Sequence, residues 1–211
     1  MAQTEDAALV CLVQEARGFI FDLDGTLYDS RGMALRLLRE YPWDLFLIGA
    51  ERKTRKSLAG DDYGSPQAYC REFFSRMSGM TGKAPRWLHG WYRDRYMPRM
   101  CRVLRKGYRP RPRTGALLAR LGHRAFPFAV YSDYPQGAAR LAALGIDPGP
   151  WAAAIYGPEH FGAQKPAPRP FAAIAQDLGV PPAHMLVLGD RDDTDGAGAA
   201  AYSQFLRAVL Y

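Results

Sequence analysis

Short apolar runs and helix-like segments alternate along the C-terminal half of the chain. The apolar runs are continuous, which is typical of strands that are buried on both faces of a parallel sheet. The predicted strands cover residues 18–21, 125–131, 153–156, 185–188 and 205–209. The predicted helices around them cover residues 6–16, 114–121, 135–144, 169–178 and 194–201. This alternation predicts an α/β fold with a parallel sheet and helices on both of its faces.

A long helical segment separates the first predicted strand from the others. Between about residues 33 and 108, apolar and aromatic residues follow helical spacing, and prolines and glycines end the individual helices. The Arg-Pro-Arg-Pro-Arg run at 109–113 predicts a stiff connector, because each proline fixes its φ and blocks a helix. We therefore expect a core formed by residues 1–30 and 114–211, with residues 31–113 inserted as a helical domain.

The composition is that of a globular protein. Apolar residues make up 48% of the 211 residues and charged residues 23%, which excludes a disordered or low-complexity chain. The three cysteines, Cys11, Cys70 and Cys101, are too few and too far apart for a disulfide framework or a CxxC zinc site. No stretch approaches the roughly 18–20 consecutive apolar residues of a membrane helix. We expect a cytoplasmic protein without membrane contact.

Positive charge is concentrated in the helical insert. The whole chain has a net charge of +7 and a pI of about 9.4. Residues 31–113 hold 20 of the 28 Lys and Arg residues but 7 of the 21 Asp and Glu residues, a net charge of +13. The remainder of the chain has a net charge of −6. This asymmetry predicts two parts with different roles and an anionic partner for the insert.

Polar residues stand at the ends of three predicted strands. Asp22 and Asp24 follow the first strand, Ser132 and Asp133 follow the second, and Asp190 follows the fourth. Open α/β sheets bind ligands at the carboxyl ends of their strands, so we expect these residues to share one site. Clustered carboxylates repel one another unless a cation is bound, and hard oxygen ligands favour Mg²⁺. A Mg²⁺ site is therefore predicted at this edge of the sheet.

Four motifs that contain these residues resemble those of the haloacid dehalogenase-like (HAD) superfamily. They are, in chain order, Asp22-Leu-Asp24-Gly-Thr26-Leu27, Tyr131-Ser132-Asp133, Gln164-Lys165-Pro166-Ala167-Pro168 and Gly189-Asp190-Arg-Asp-Asp-Thr-Asp195-Gly-Ala. They match a DxDGT motif, a Ser or Thr at a strand end, a Lys-Pro before a helix and an acidic GDxxxxD loop. The resemblance implies a Rossmann-like core in which the insert is a helical cap, as in phosphatases of the phosphoglycolate phosphatase-like type.

The resemblance implies roles for the residues that match the first three motifs. Asp22 is expected to be the nucleophile that forms an aspartyl-phosphate, and Asp24 the acid and base that serves the leaving oxygen and then water. Ser132 is expected to hydrogen-bond a phosphoryl oxygen. Lys165 is expected to neutralise the charge that the phosphate shares with Asp22. The implied function is a phosphoric monoester hydrolase.

The resemblance also implies how Mg²⁺ is held. Its expected ligands are Asp22, the backbone carbonyl of Asp24, and Asp190, and the ion offsets repulsion between nucleophile and phosphate. Asp195 fits the second acidic position of the fourth motif and is expected to act through a metal-bound water. The two acidic residues between them, Asp192 and Asp193, are expected to be solvated or to form a turn.

Several alternatives follow from the same residues. Dehalogenation is rejected, because members with that chemistry need no acid at the Asp24 position and no metal. Phosphonate cleavage would need a cap lysine, but Lys53, Lys56 and Lys83 are expected on solvated helix faces. A phosphomutase on the same core remains an alternative. A nucleic-acid-binding or scaffolding protein is the alternative from another class, but the insert shows no recognition module and nucleic acid is not expected as a partner.

The expected substrate is a small anionic phosphorylated metabolite. The positive insert would help to collect it through electrostatic attraction. Arg31, Arg109, Arg111 and Arg113 lie where the insert meets the core and are candidates for substrate contact, and Tyr134 is a candidate for lining the pocket. Neither the identity of the substrate nor an oligomeric state is predicted.

Overall fold

Five parallel strands form the sheet of the computed structural model, which describes residues 15–149 and 154–207. The strands are β1 (Gly18–Phe21), β2 (Phe128–Tyr131), β3 (Ile155–Tyr156), β4 (Met185–Gly189) and β5 (Gln204–Arg207). Their order in the sheet is β3-β2-β1-β4-β5, which places β1 at the centre. The α/β fold class with a parallel sheet is confirmed. The predicted helix at residues 6–16 lies almost entirely outside the described residues.

Two strands are shorter than the sequence predicts. β2 starts three residues late, because Ala125 lies in a turn with a φ of 49° and Pro127 has no backbone N–H to donate to a neighbouring strand. β3 contains two of the four predicted residues, and residue 153 lies outside the described residues. The carboxyl ends of β1, β2 and β4 nevertheless fall where the pattern predicts, and these ends carry the candidate site.

The segment between β1 and β2 is built from helices joined by loops and turns from residue 33 to residue 107. Its helices are α1 (Met33–Glu40), α2 (Leu45–Ser57), α3 (Pro66–Thr81), α4 (Pro85–Trp91) and α5 (Met97–Gly107). Prolines begin several of them, as at Pro66, where the hydroxyl of Ser65 also caps the backbone N–H of Ala68. A single π-helical turn, Tyr92–Tyr96, joins α4 to α5.

Helices cover both faces of the sheet. The helices of this part are α6 (Pro112–His123), α7 (Gly137–Ala143), α8 (Pro158–Phe161), α9 (Arg169–Asp177) and α10 (Ala197–Ala199). Phe19 and Phe21 of β1 pack in one apolar cluster, and Ile20 packs in the other together with Phe171 of α9. The helix predicted at residues 194–201 is mostly a π-helical turn, Asp192–Gly196, followed by the short α10.

The helical insert shares an apolar cluster with the sheet. Leu27 and Tyr28, just after β1, belong to the same cluster as Leu37 of α1 and Tyr108 after α5. The rings of Tyr28 and Tyr108 meet edge to face with centroids 5.4 Å apart. α5 also packs against α7 of the core. The insert is thereby seated on the carboxyl edge of the sheet. No helix in the described part of the chain is long and apolar enough to span a membrane.

Candidate active site

The turn after β1 brings two aspartates against the loop after β4. The backbone N–H of Asp22 donates to the carbonyl of Leu188 over 2.8 Å, so the sheet fixes the start of the turn. Gly25 has a φ of 101°, and a Cβ atom there would lie 2.2 Å from Oδ2 of Asp190. Only glycine tolerates both this backbone conformation and this close approach. The sequence Asp-Gly at this point therefore allows the two acidic loops to touch.

Lys165 places a buried positive charge among the carboxylates. Its Nζ donates to Oδ1 of Asp22 over 2.5 Å and to Oδ1 of Asp195 over 2.6 Å. Its backbone N–H donates to Oδ1 of Asp133 over 2.9 Å, which ties the segment before α9 to the loop after β2. Burial alone lowers the pKa of a lysine, but the carboxylates of Asp22 and Asp195 raise the pKa of Lys165 well above its ordinary value. The ammonium group therefore stays charged and holds Asp22 in place.

Three carboxylates converge at the ends of β1 and β4. One oxygen each from Asp22, Asp190 and Asp195 lies within 4.8 Å of the other two. Burial raises the pKa of Asp22 well above its ordinary value, and burial followed by repulsion from Asp195 raises the pKa of Asp190. Within the described part of the chain, Oδ2 of Asp22 is buried without a hydrogen-bond partner. A divalent cation fits these residues, since it would satisfy that oxygen and reduce the repulsion.

Asp24 lies in a different environment from Asp22, although only two residues separate them. Its Oδ1 accepts hydrogen bonds from the hydroxyl of Tyr28 over 2.6 Å and from Nη2 of Arg140, and its Oδ2 accepts one from Oγ of Ser132 over 3.0 Å. Burial by itself raises the pKa of Asp24, but Arg140 and these hydrogen bonds lower it below its ordinary value. Asp24 is thus a carboxylate in this structure, and Arg140 rather than Lys165 is the cation that holds it.

Ser132 is fully buried at the end of β2. Its backbone N–H donates to the carbonyl of Tyr156 on β3, which fixes its position in the sheet. Its Oγ accepts hydrogen bonds from the backbone N–H of Tyr134 over 3.1 Å and from Nη1 of Arg140 over 2.8 Å, and donates to Asp24. The predicted phosphate-binding hydroxyl is therefore directed at Asp24 in this structure.

A cavity of about 570 Å³ opens between the core and the insert. Asp22, Asp24, Lys165, Asp190 and Asp195 line its core wall. Its opposite wall is formed by one helix of the insert, α2, with the cationic side chains Arg52, Lys53, Arg55 and Lys56. The negative and positive parts of the sequence therefore face each other across the same cavity.

The cationic side chains of α2 differ in how many partners hold them in place. Arg55 is held by Glu51, by the hydroxyl of Tyr92 over 2.7 Å, and by stacking 3.9 Å from the centre of the Tyr134 ring. Tyr134 lines the cavity, as the sequence predicts. In contrast, the cavity-lining cations on the exposed side of α2 form no ion pair or hydrogen bond with the described residues. They are Arg52, Lys53 and Lys56.

Of the arginines predicted to contact substrate, Arg31, Arg109 and Arg111 do not line the cavity. Arg31 is exposed and paired with Asp29, and Arg109 donates to backbone carbonyls near the end of α5. Arg111 donates to the carbonyl of Gly25 over 3.1 Å and so supports the turn after β1 from behind. The side chain of Arg113 lies outside the described residues. The Arg-Pro repeat places Arg109 and Arg111 at the junction, whereas the helix α2 extends over the site.

Lys53 and Lys56 are exposed, as predicted for solvated helix faces, but that face borders the cavity. Asp192 and Asp193 are exposed as well, and Asp193 pairs with Arg191. Sequence reasoning missed Tyr28 and Arg140, both of which contact Asp24. The signal for Arg140 is a single charged residue within an otherwise apolar helix, Gly-Ala-Ala-Arg-Leu-Ala-Ala.

Known proteins are similar to this chain in sequence and in fold. The family model for haloacid dehalogenase-like hydrolase matches residues 16–202. The phosphoglycolate phosphatase of Shigella boydii serotype 4 (strain Sb227) is 27% identical over 203 residues, which cover 89% of this chain and 79% of that protein. The phosphoglycolate phosphatase of Aquifex aeolicus (strain VF5) is 26% identical over 194 residues, and the match covers 88% of this chain and 81% of that protein. A hydrolase from Pseudomonas syringae has a similar fold, with a TM-score of 0.58 and 21% sequence identity. The match covers 90% of this chain and 83% of that protein.

Proposed function

Since the chain belongs to the haloacid dehalogenase-like hydrolase family, we propose that it is a Mg²⁺-dependent phosphatase acting on a small phosphorylated metabolite. The observation that carries the proposal is the buried ammonium of Lys165 between Asp22 and Asp195, with Oδ2 of Asp22 left unpartnered among the described residues. A carboxylate with one oxygen held and the other unpartnered is suited to serve both as a metal ligand and as a nucleophile.

In the first step an oxygen of Asp22 attacks phosphorus, and the bond from phosphorus to the leaving oxygen breaks. Asp24 gives its proton to the leaving oxygen. In the second step water attacks phosphorus and Asp24 takes a proton from the water. The bond from phosphorus to the oxygen of Asp22 breaks, and inorganic phosphate leaves. The proton lost in the first step is thus regained in the second, and Lys165 stays bound to Asp22 and the phosphoryl group throughout.

Asp24 must be protonated when substrate is bound, although it is a carboxylate in this structure. A bound phosphate dianion beside Asp24 favours the protonated form, because neighbouring negative charges disfavour ionisation. The hydroxyl of Ser132 has one proton, and on substrate binding it turns from Asp24 to a phosphoryl oxygen. Both changes leave Oδ2 of Asp24 directed at the leaving group.

Mg²⁺ would be held by Asp22, Asp190 and the backbone carbonyl of Asp24, with Asp195 supporting it through water. When bound, the ion supplies positive charge that offsets repulsion between the carboxylate nucleophile and the phosphate. The crowding of three carboxylates and the raised pKa of Asp190 are consistent with residues arranged for a cation.

The unpaired cations of α2 favour a substrate with more than one negative charge. Arg52, Lys53 and Lys56 face the carboxylates across the cavity, where they can attract and hold an anionic group remote from the transferred phosphate. Two relatives named as phosphoglycolate phosphatases suggest a phosphorylated carboxylic acid of this kind. The residues numbered 31–113 would act as the cap that closes over it.

Replacement of the nucleophile tests the proposal. The unaltered protein with Mg²⁺ should release inorganic phosphate from p-nitrophenyl phosphate, and Asp22→Asn should abolish turnover, a loss of at least about 1,000-fold. Asp94→Asn, which changes an exposed aspartate of the insert, is the matched control and should retain full activity. Undiminished turnover by Asp22→Asn would exclude Asp22 as nucleophile. Transfer of phosphate between two positions of a sugar, without release, would indicate a phosphomutase instead.

A further inference from the structure

Arg140 on α7 is a buried charge that the proposed reaction does not yet use. It is the largest fully buried side chain among the described residues, with 0% of its surface exposed. Removing a guanidinium from water is costly unless it gains well-placed partners. Its terminal nitrogens have such partners, since Nη2 donates to Oδ1 of Asp24 and Nη1 donates to Oγ of Ser132 over 2.8 Å. Both partners belong to the candidate active site.

The two oxygens of Asp24 are held unequally. Oδ1 accepts hydrogen bonds from Arg140 and from the hydroxyl of Tyr28, which lies 2.6 Å away. Oδ2 accepts one from Ser132 over 3.0 Å, and within the described residues no other partner contacts it. Oδ1 is therefore anchored on the core side, whereas Oδ2 is free to face a bound ligand once the Ser132 hydroxyl turns away.

The hydroxyl of Ser132 has no spare capacity in this arrangement. A hydroxyl offers one proton and two lone pairs. Both lone pairs accept hydrogen bonds, from Arg140 and from the backbone N–H of Tyr134, so the proton must go to Asp24 or to a substrate oxygen. Arg140 thus determines the direction in which the Ser132 hydroxyl can donate.

Resting on the proposed phosphatase function, we propose that Arg140 is a positioning residue for the acid–base step. It anchors Oδ1 of Asp24, so that Oδ2 is the oxygen that gives a proton to the leaving group and takes one from water. It also keeps the Ser132 hydroxyl between Asp24 and the phosphate position. Arg140 itself touches neither the phosphate nor the leaving group.

Two esters of nearly equal shape test this role. Phenyl phosphate has a leaving group that needs a proton, and p-nitrophenyl phosphate has one that leaves without it. The value of kcat/KM reports steps up to formation of the aspartyl-phosphate, so it isolates the acid function of Asp24. Arg140→Met should lower kcat/KM about 100-fold for phenyl phosphate but only about 3-fold for p-nitrophenyl phosphate. Asp24→Asn calibrates the full loss of the acid, and Arg93→Met, in an exposed ion pair of the insert, should change neither value.

A purely structural role for Arg140 would lower both values by the same factor, and that result would overturn the proposal. If Arg140→Met does not fold, Arg140→Lys replaces it, because a single ammonium cannot bond Asp24 and Ser132 with the geometry of a guanidinium. The same selective loss is expected for that variant, and equal losses would again overturn the proposal. If the unaltered enzyme releases phosphate from neither ester, the proposed phosphatase function is wrong, and the proposed role of Arg140, which depends on it, is wrong as well.

Discussion

The two walls of the cavity carry charge in different ways. On the core wall, Lys165 is buried and bonded to Asp22 and Asp195, so its position is fixed. On the insert wall, Lys53 and its neighbours are exposed and unpaired within the described residues. Buried pairs are weakly screened and hold atoms in one geometry, whereas exposed cations act over a Debye length and are sensitive to salt. The core wall is suited to chemistry and the insert wall to attraction, so changes to the two walls should have different signatures.

The largest contrast is expected between two lysines, one on each wall. Lys165→Met removes a buried cation and leaves adjacent buried carboxylates uncompensated, which should lower the free energy of unfolding by about 3–5 kcal/mol and abolish phosphate release. Lys53→Met is the matched control, and its free energy of unfolding should change by no more than about 0.5 kcal/mol. Urea denaturation measures both. Equal stability losses for the two variants would show that the walls do not differ as described.

Addition of Mg²⁺ should stabilise the core wall. At about 100 times its Kd, the ion should raise the free energy of unfolding by about 2.7 kcal/mol, visible as a higher Tm than in EDTA. Asp190→Asn should lose most of this rise. Because the folded-state pKa of Asp190 is raised, its charge destabilises the fold at neutral pH, and the variant without metal should melt slightly above the unaltered protein. A full Mg²⁺ response in Asp190→Asn would contradict its place as a ligand.

The pH dependence of stability should reveal the environment of Asp24. Its folded-state pKa is lowered from 3.8, so its contribution is present above that pH and is lost as the pH falls through the folded value. Asp24→Asn should therefore be less stable than the unaltered protein by about 2 kcal/mol at pH 7. The difference should shrink as the pH falls below 3.8, in urea titrations followed by circular dichroism. A difference that stays constant with pH would mean that Arg140 does not stabilise the ionised form.

The smallest effect is expected on the insert wall. Replacement of Arg52, Lys53 and Lys56 by Gln should lower kcat/KM for a phosphorylated carboxylic acid about 10-fold at low salt, with little change at high salt. In the control variant, three exposed cations elsewhere on the insert are replaced by Gln, so that its net charge equals that of the cavity-wall variant. Its substitutions are Lys83→Gln, Arg86→Gln and Arg95→Gln. An equal loss in both triple variants would assign the attraction to net charge rather than to the cavity wall.

The fold class and the core wall could be predicted because their signals are local in sequence. Continuous apolar runs mark β1 and β4, and the residues after them must meet at the carboxyl edge of a parallel sheet. The ends of strands were harder to predict where turns intervene, as at Ala125, because a positive φ and a nearby proline are set by the local backbone rather than by apolarity.

The contact between Asp24 and Arg140 could not be predicted, because it depends on packing between distant elements. Arg140 lies 116 residues from Asp24, and the packing of α7 against α5 and β3 brings them together. For the insert, too, the residues that reach the site depend on packing and could not be predicted from sequence. Its net charge of +13 can be counted, but the choice of α2 over the proline-rich junction as the cavity wall depends on how the helices pack. Arg31 and Arg109 lie outside the cavity lining, although the sequence makes them candidates for substrate contact.

The chain leaves and rejoins the sheet at adjacent points. Tyr28 and Pro110 form an antiparallel bridge, and the backbone N–H of Arg111 donates to the carbonyl of Leu27 over 2.8 Å. An intervening segment whose two ends are neighbours can be lengthened, shortened or exchanged without rerouting any strand. Residues 29–109 could therefore be replaced as one unit in protein engineering, and a library of alternative inserts could be joined to the same unchanged core.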